Sequence, residues 1–232
     1  MTTILRSFGP EIWIVEGPVV SFFTFPYPTR MAVIRLKDGT LFVWSPIPLD
    51  EALRAELDEL GTVAHLVSPN KLHHFWLGEW KKAYPSARLY ASPGLRKRRR
   101  DLKFDGKLHD RPEPAWADDI DQVAIRGNIL MTEIVFLHRP SRTAIFADLL
   151  QNFPPDWFKG WRGVLALWDG IVNPDYGAPR ELRWAFWWRG RARRSLQRVL
   201  DFAPDRVMIA HGDMALENGT AFIRKGFQWL LR

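Results

Sequence analysis

Three short strand-like runs in this chain each lead into a residue that can bind a metal or move a proton. Val63–Val67 runs into Ser68-Pro69-Asn70-Lys71-Leu72-His73-His74, Thr143–Ala147 into Asp148, and Arg206–Ala210 into His211-Gly212. A sheet aligns the loops at its strand ends, so polar residues at several of those ends converge on one edge. A single His or Asp in such a place is usually a loop cap; three together are more informative. The chain has no cysteine, which excludes disulfides, thiolate zinc sites, iron–sulfur clusters and thiol nucleophiles. Any metal must therefore be held by His, Asp or Glu, and imidazoles with a carboxylate suit Zn²⁺, Fe or Mn²⁺.

The rest of the sequence reads as a mixed α/β chain, expected to form one domain over residues 1–232. Ile12–Val15 is a short strand, and Met31–Leu36 and Thr40–Trp44 flank Lys37-Asp38-Gly39, a turn that needs positive φ. Asp50 should cap a helix carrying Leu53, Leu57 and Leu60 on one face, with Gly61 ending it. A helix with Leu77 and Trp80 follows, then a strand at Arg88–Ala91. Residues 134–137 and 143–147 form a hairpin, residues 153–180 a long ordered loop rich in Pro, Gly and Trp, and residues 185–203 a helix of about five turns. A last helix is expected near residues 220–231. No run approaches 18 apolar residues and no signal-peptide pattern opens the chain, so a soluble, cytoplasmic protein without a membrane span is expected.

The order of two hairpin strands, strand-loop-helix with His73-His74, strand-Asp148 and strand-His211-Gly212 resembles the metallo-β-lactamase superfamily. It resembles an uncharacterised branch more closely, through Ser68-Pro69-Asn70, Tyr84-Pro85, Ser92-Pro93-Gly94-Leu95, Glu133 with Phe136 to Thr143, and Ala210-His211-Gly212. The resemblance implies a four-layer αββα sandwich. It also implies a site built by residue-by-residue carry-over. The superfamily loop His-x-His-x-Asp-His falls on Pro69 to His74, so His74 matches the last histidine, His73 takes the aspartate's place, and Pro69 and Lys71 replace the first two histidines. Asp148 matches the bridging aspartate and His211 the final histidine. The remaining histidine should fall near Gly127-Asn128-Ile129, where none exists.

One of the two superfamily metal positions has thus lost its three histidines. The resemblance implies a single divalent metal, zinc foremost with iron or manganese as alternatives, held by His74, Asp148 and His211 with His73 as a fourth ligand or general base. His73 and Asp148 are the expected catalytic groups, and Lys71 is expected to place its ammonium near Asp148. Glu133 should lie close to Asp148 as a ligand or supporting partner, whereas His138 falls at the far end of its hairpin and should be structural. The implied activity is metal-dependent hydrolysis of an ester, lactone, amide or phosphoester of a small molecule. The alternative is a degenerate small-molecule-binding protein on the same fold. A nucleic-acid-binding relative is the least favoured reading, because Arg96-Lys97-Arg98-Arg99-Arg100 reads first as a solvated helix face. Oligomeric state is not legible.

Overall fold

The computed structural model describes residues 4–232. Seven strands form the first sheet in chain order: β1 (Arg6–Gly9), β2 (Ile12–Phe22), β3 (Phe25–Arg35), β4 (Thr40–Trp44), β5 (Thr62–Val67), β6 (Arg88–Ala91) and β7 (Gly106–Lys107). Pairing is antiparallel up to β4 and parallel from β4 to β7. The second sheet is built from β8 (Ile120–Ile125), β9 (Glu133–His138), β10 (Thr143–Phe146) and β11 (Arg206–Ile209), in the spatial order β11-β10-β9-β8, with β10 and β11 parallel.

Three apolar clusters separate four layers. Between the sheets lie Ile14, Ile34, Phe42 and Trp44 of the first and Ile134, Phe136, Ile145 and Met208 of the second. The alternate residues of the same strands face outward. Leu41 and Val43 pack under α1 (Glu51–Leu60), α2 (Leu77–Ala83) and α3 (Leu95–Arg98) through Leu53, Leu57, Trp80 and Leu95. On the other side Phe146, Val207 and Ile209 pack against Leu196 and Val199. Over the central strands both faces of each sheet are therefore dry, which is why those strands read as continuous apolar runs rather than alternating ones. Each fully buried Leu, Ile or Phe contributes about 1.5–3 kcal/mol by removal from water.

The local expectations for the first half hold closely. Gly39 turns the β3–β4 hairpin at φ 81°, and the Asp50 carboxylate accepts from Leu53 N at 2.8 Å to cap α1. Gly61 follows α1 with extended backbone, so left-handedness is not its reason for being glycine. A Cβ there would lie 2.4 Å from the Gly39 carbonyl oxygen.

Three expectations are corrected. β2 runs to Phe22, because the long β2–β3 hairpin continues beyond the core to a tip at Phe23-Thr24. The segment 153–180 is not all loop: α4 (Trp161–Asp169) lies within it, ended by Gly170 in the left-handed conformation. The helix expected over 185–203 is α6 (Arg189–Asp201) and starts four residues later; a separate short helix, α5 (Arg180–Trp184), precedes it. Between them the backbone bonds elsewhere, with the Trp188 amide donating to the Gly127 carbonyl and the Ile129 amide to that of Ala185. The chain then closes through α7 (Gly219–Gly226) and α8 (Gln228–Leu231), split where Gly226 packs on Leu150 and Tyr176.

Candidate metal centre

Because β10 and β11 are parallel with Phe146 opposite Ile209, the residues just beyond them emerge side by side. These include Asp148 and His211. The loop after β5 brings His73 from the first sheet to the same edge, and one ligand atom from each of the three residues lies within 4.8 Å of the others. His73 Nε2 is 3.3 Å from Asp148 Oδ2, and His211 Nε2 is 3.5 Å from Asp148 Oδ1. The three line a cavity of about 520 Å³.

The far ring nitrogen of each histidine is anchored. His73 Nδ1 is 2.7 Å from Ser45 Oγ. Ser45 directly follows β4 at φ 51°, a conformation costing about 1–2 kcal/mol for a residue with a Cβ, and its amide is tied to the Val67 carbonyl. His211 Nδ1 donates to the Pro28 carbonyl at 2.7 Å. A carbonyl can only accept, so Nδ1 carries a proton and Nε2 is the ring nitrogen turned toward the Asp148 carboxylate. A ring nitrogen this close to a buried carboxylate calls for a cation between them, a proton or a metal ion. The donor set of two imidazoles and one carboxylate fits a divalent metal with an open position.

Behind this front, Glu133 organises the turn that carries Asp148. Wholly buried, it accepts from the Ala147 amide at 2.9 Å, the Asp148 amide at 2.7 Å, the Leu149 amide at 3.2 Å and Asn70 Nδ2 at 3.1 Å. Asn70 Nδ2 also donates to Asp148 Oδ2 at 2.6 Å, so one amide bridges two buried carboxylates. Burial, and then the Asp148 charge, push Glu133 up to about 7. Burial acts to raise the Asp148 carboxyl as well, but the charges and hydrogen bonds of His73 and His211 outweigh it and hold it well below the usual carboxylate range. For His73 burial opposes charging, yet the neighbouring Asp148 and Glu133 raise it above an ordinary imidazole.

The neighbouring residues divide clearly. His74 is not brought to the cluster. Its Nε2 accepts from Arg98 Nε at 2.9 Å and its carbonyl from Arg99 Nη1 at 2.6 Å. Burial and then the charges of Arg98 and Arg99 push His74 down to about 4. Consecutive side chains diverge on a turn, so only one of the pair faces Asp148. Lys71 lines the cavity but has no ion pair with Asp148 among the described residues, where Asn70 occupies that place. His138 lies at the opposite end of the β9–β10 hairpin, paired with Thr143 and bonded through Nδ1 to Ser141 Oγ at 2.7 Å.

Sequence reasoning did not single out Ser45 or Arg30, and Asn70 stood out only as part of Ser68-Pro69-Asn70, without a role in the site. Arg30, buried on β3, donates through Nη1 to the carbonyls of Ile209 and, at 3.0 Å, Gly212, straddling His211. Its Nε pairs with Glu16 at 2.9 Å. An Arg inside an otherwise apolar strand, Met31-Ala32-Val33-Ile34, was the available signal.

Comparison with known proteins agrees with this architecture. Solved structures similar to the chain include DIM-1 metallo-beta-lactamase exposed to ceftazidime (13% identity, TM-score 0.67, covering 98% of this chain and 95% of that one). Others are a metallo-beta-lactamase from Pontibacter korlensis (12%, TM-score 0.63, 98% of each chain) and FIM-1 from Pseudomonas aeruginosa in the mono-zinc form (10%, TM-score 0.65, 98% and 94%). At such identities the likeness is one of fold, that of the metallo-β-lactamase superfamily. No curated protein matches the chain. A family model does match, over residues 10–159, and the chain belongs to that family, described as a domain of unknown function (DUF4336).

Proposed function

We propose that the protein is a metal-dependent hydrolase that uses one divalent metal, zinc foremost, held by His73, Asp148 and His211. The observation that carries this reading is the convergence of His73, Asp148 and His211 within 4.8 Å, with His211 Nδ1 held by the Pro28 carbonyl so that Nε2 faces Asp148 across 3.5 Å. A metal bound there would lower the pKa of a water toward 7 and polarise a carbonyl or phosphoryl oxygen. The FIM-1 structure in its mono-zinc form is a precedent for one metal on this fold. Asp148 offsets the charge and orients the attacking water, and its low proton affinity keeps it an anion while it does so. His73 is a ligand or the proton acceptor, since its raised affinity and its contact with Ser45 Oγ suit it to take a proton near neutrality. His74, assigned by resemblance as a ligand, supports the cavity wall through Arg98 instead.

The substrate is a small molecule carrying an ester, lactone, amide or phosphoester. The test is the metal content of protein purified without chelator or histidine tag, with His73→Ala and His211→Ala alongside. About one equivalent in the parent and none in the variants supports the site, and hydrolysis of an ester, lactone or phosphodiester panel that chelator abolishes supports the activity. No metal after incubation with Zn²⁺, Mn²⁺ and Fe²⁺ sinks the hydrolase reading and leaves a small-molecule-binding protein.

A further inference from the structure

The helix α4 is amphipathic the wrong way round. Trp161, Val164, Leu165 and Trp168 recur at the i, i+3, i+4, i+7 spacing that normally turns an apolar stripe to the core. All four are exposed, as is Leu167, and Ala166 is the residue that α4 buries. Trp184, Trp187 and Trp188 on and after α5 are exposed too, Trp187 to 70%. Large apolar groups gathered on one surface mark a docking face rather than ordinary scatter. Trp168 packs edge-on against Trp184 at 5.8 Å, which makes the α4 and α5 surfaces continuous.

The segment that carries these indoles is cationic. Residues 159–194 hold eight Lys and Arg against three Asp and Glu, in a chain whose net charge is +7. Guanidinium groups lie over the exposed indoles, Arg162 on Trp161 and Arg180 on Trp168 at 4.8 Å each, and Arg191 on Trp188 at 5.6 Å. The patch also reaches the mouth of the cavity. Phe25 meets Trp161 with ring centres 5.6 Å apart and pairs across the hairpin with Phe22. Phe22 and the 84%-exposed Phe23 line the cavity, as does Leu182 of α5.

We propose that this face lies on an anionic lipid bilayer, with the indoles of α4 and α5 and the Phe22-Phe23 tip at the headgroup level and the arginines on lipid phosphates. Indoles and apolar side chains interleaved with cations suit that interface, where an apolar body and a polar or charged partner are both satisfied. Charge argues against a second copy of the chain as occupant, because face-to-face docking would oppose two cationic surfaces. No helix is long and apolar enough to cross a membrane, so the association is peripheral. Docking would set the cavity mouth against the bilayer, whether or not a metal is bound.

The test is cosedimentation of the full chain with vesicles of equal parts phosphatidylcholine and phosphatidylglycerol, with phosphatidylcholine alone as control. One variant carries Trp161→Ser, Trp168→Ser and Trp184→Ser. A second carries Lys159→Gln, Arg189→Gln and Arg194→Gln, whose side chains make no hydrogen bond or ion pair among the described residues. Circular dichroism checks that both remain folded, as expected for exposed positions. The parent should bind the anionic vesicles at low salt and leave them as salt rises. The charge variant should bind less well by about fivefold for each cation removed, and the tryptophan variant by at least about tenfold. Failure of the folded parent to sediment with these vesicles overturns the proposal, as does binding unchanged in the tryptophan variant. So does a parent that avoids vesicles but forms a dimer or holds single-stranded DNA through the same tryptophans.

Discussion

Arg30 offers the sharpest test of how the site is held. Its Nη1 donates to the carbonyls of Ile209 and Gly212 on either side of His211, and both bonds are buried. Arg30→Met keeps the apolar stem but leaves two buried carbonyls without a donor. Hydrogen bonds to a charged group contribute about 1.5–3 kcal/mol each. Sharing one donor nitrogen makes the pair less than additive, so the loss should be about 3 kcal/mol. The freed Glu16 is about half exposed and adds little. At about 2–4 °C per kcal/mol for a chain of this size, the melting temperature should fall by about 6–12 °C. Arg30→Lys should lose about half as much, because one ammonium can reach one carbonyl but not reproduce the fork. Since the loop carrying His211 loosens, metal affinity should fall about 10–100-fold, the usual effect of removing a group that orients a ligand. Thermal unfolding by circular dichroism and competition against a fluorescent chelator read the two effects. A variant that melts within about 1 °C of the parent and binds metal equally would show that Arg30 is not the strap.

Three other positions give measurable expectations. His74→Ala should retain the metal stoichiometry of the parent, because His74 Nε2 is taken by Arg98; loss of metal by elemental analysis of this variant would put His74 back among the ligands. Burial pushes His138 down to about 4, so between about pH 6.5 and 4 the unfolded chain binds a proton there that the folded chain does not, and stability falls as pH falls through that window. The loss is about 2 kcal/mol between pH 7 and 5 and should be absent from His138→Gln in urea titrations, whereas parallel pH slopes would refute it. Gly212 sits at φ 94° with the position of a Cβ 2.0 Å from the Asn152 carbonyl oxygen, so Gly212→Ala should cost several kcal/mol, on the order of a large core defect, and abolish folded protein on gel filtration.

The sequence exposes those parts of the fold whose signal is local. A strand ending in His211-Gly212, a cap at Asp50 and a turn at Gly39 depend on neighbours within a few residues, and each lies where the local chemistry places it. Ser45, Asn70 and Arg30 act across 28, 78 and 182 residues of chain, and no local pattern announces partners so distant. The pair His73-His74 shows the same limit at the shortest range. Adjacent and chemically identical, they line one cavity but take different partners, His73 meeting Asp148 and His74 meeting Arg98, and only the three-dimensional path decides which is which.

The α4 helix adds a different limit, one of sign rather than range. A period of 3.6 residues shows that apolar side chains share a face, but it does not show whether that face meets the core or the solvent. In α6 the same periodicity buries Ala192, Leu196 and Val199 beneath the second sheet, while in α4 it turns Trp161, Val164 and Trp168 outward. What separates them is what lies between the apolar positions. The polar face of α6 is rich in arginine, as a solvated face should be, whereas α4 has Arg162 and Asp169 as its charged residues and so lacks a polar face to offer water. An apolar helix with few charges is either buried on all sides or in contact with something other than water. Since α4 buries chiefly Ala166 within this chain, its composition and its exposure agree only if the remaining contact comes from outside the molecule. The excess of arginines around it gives that contact a negative charge.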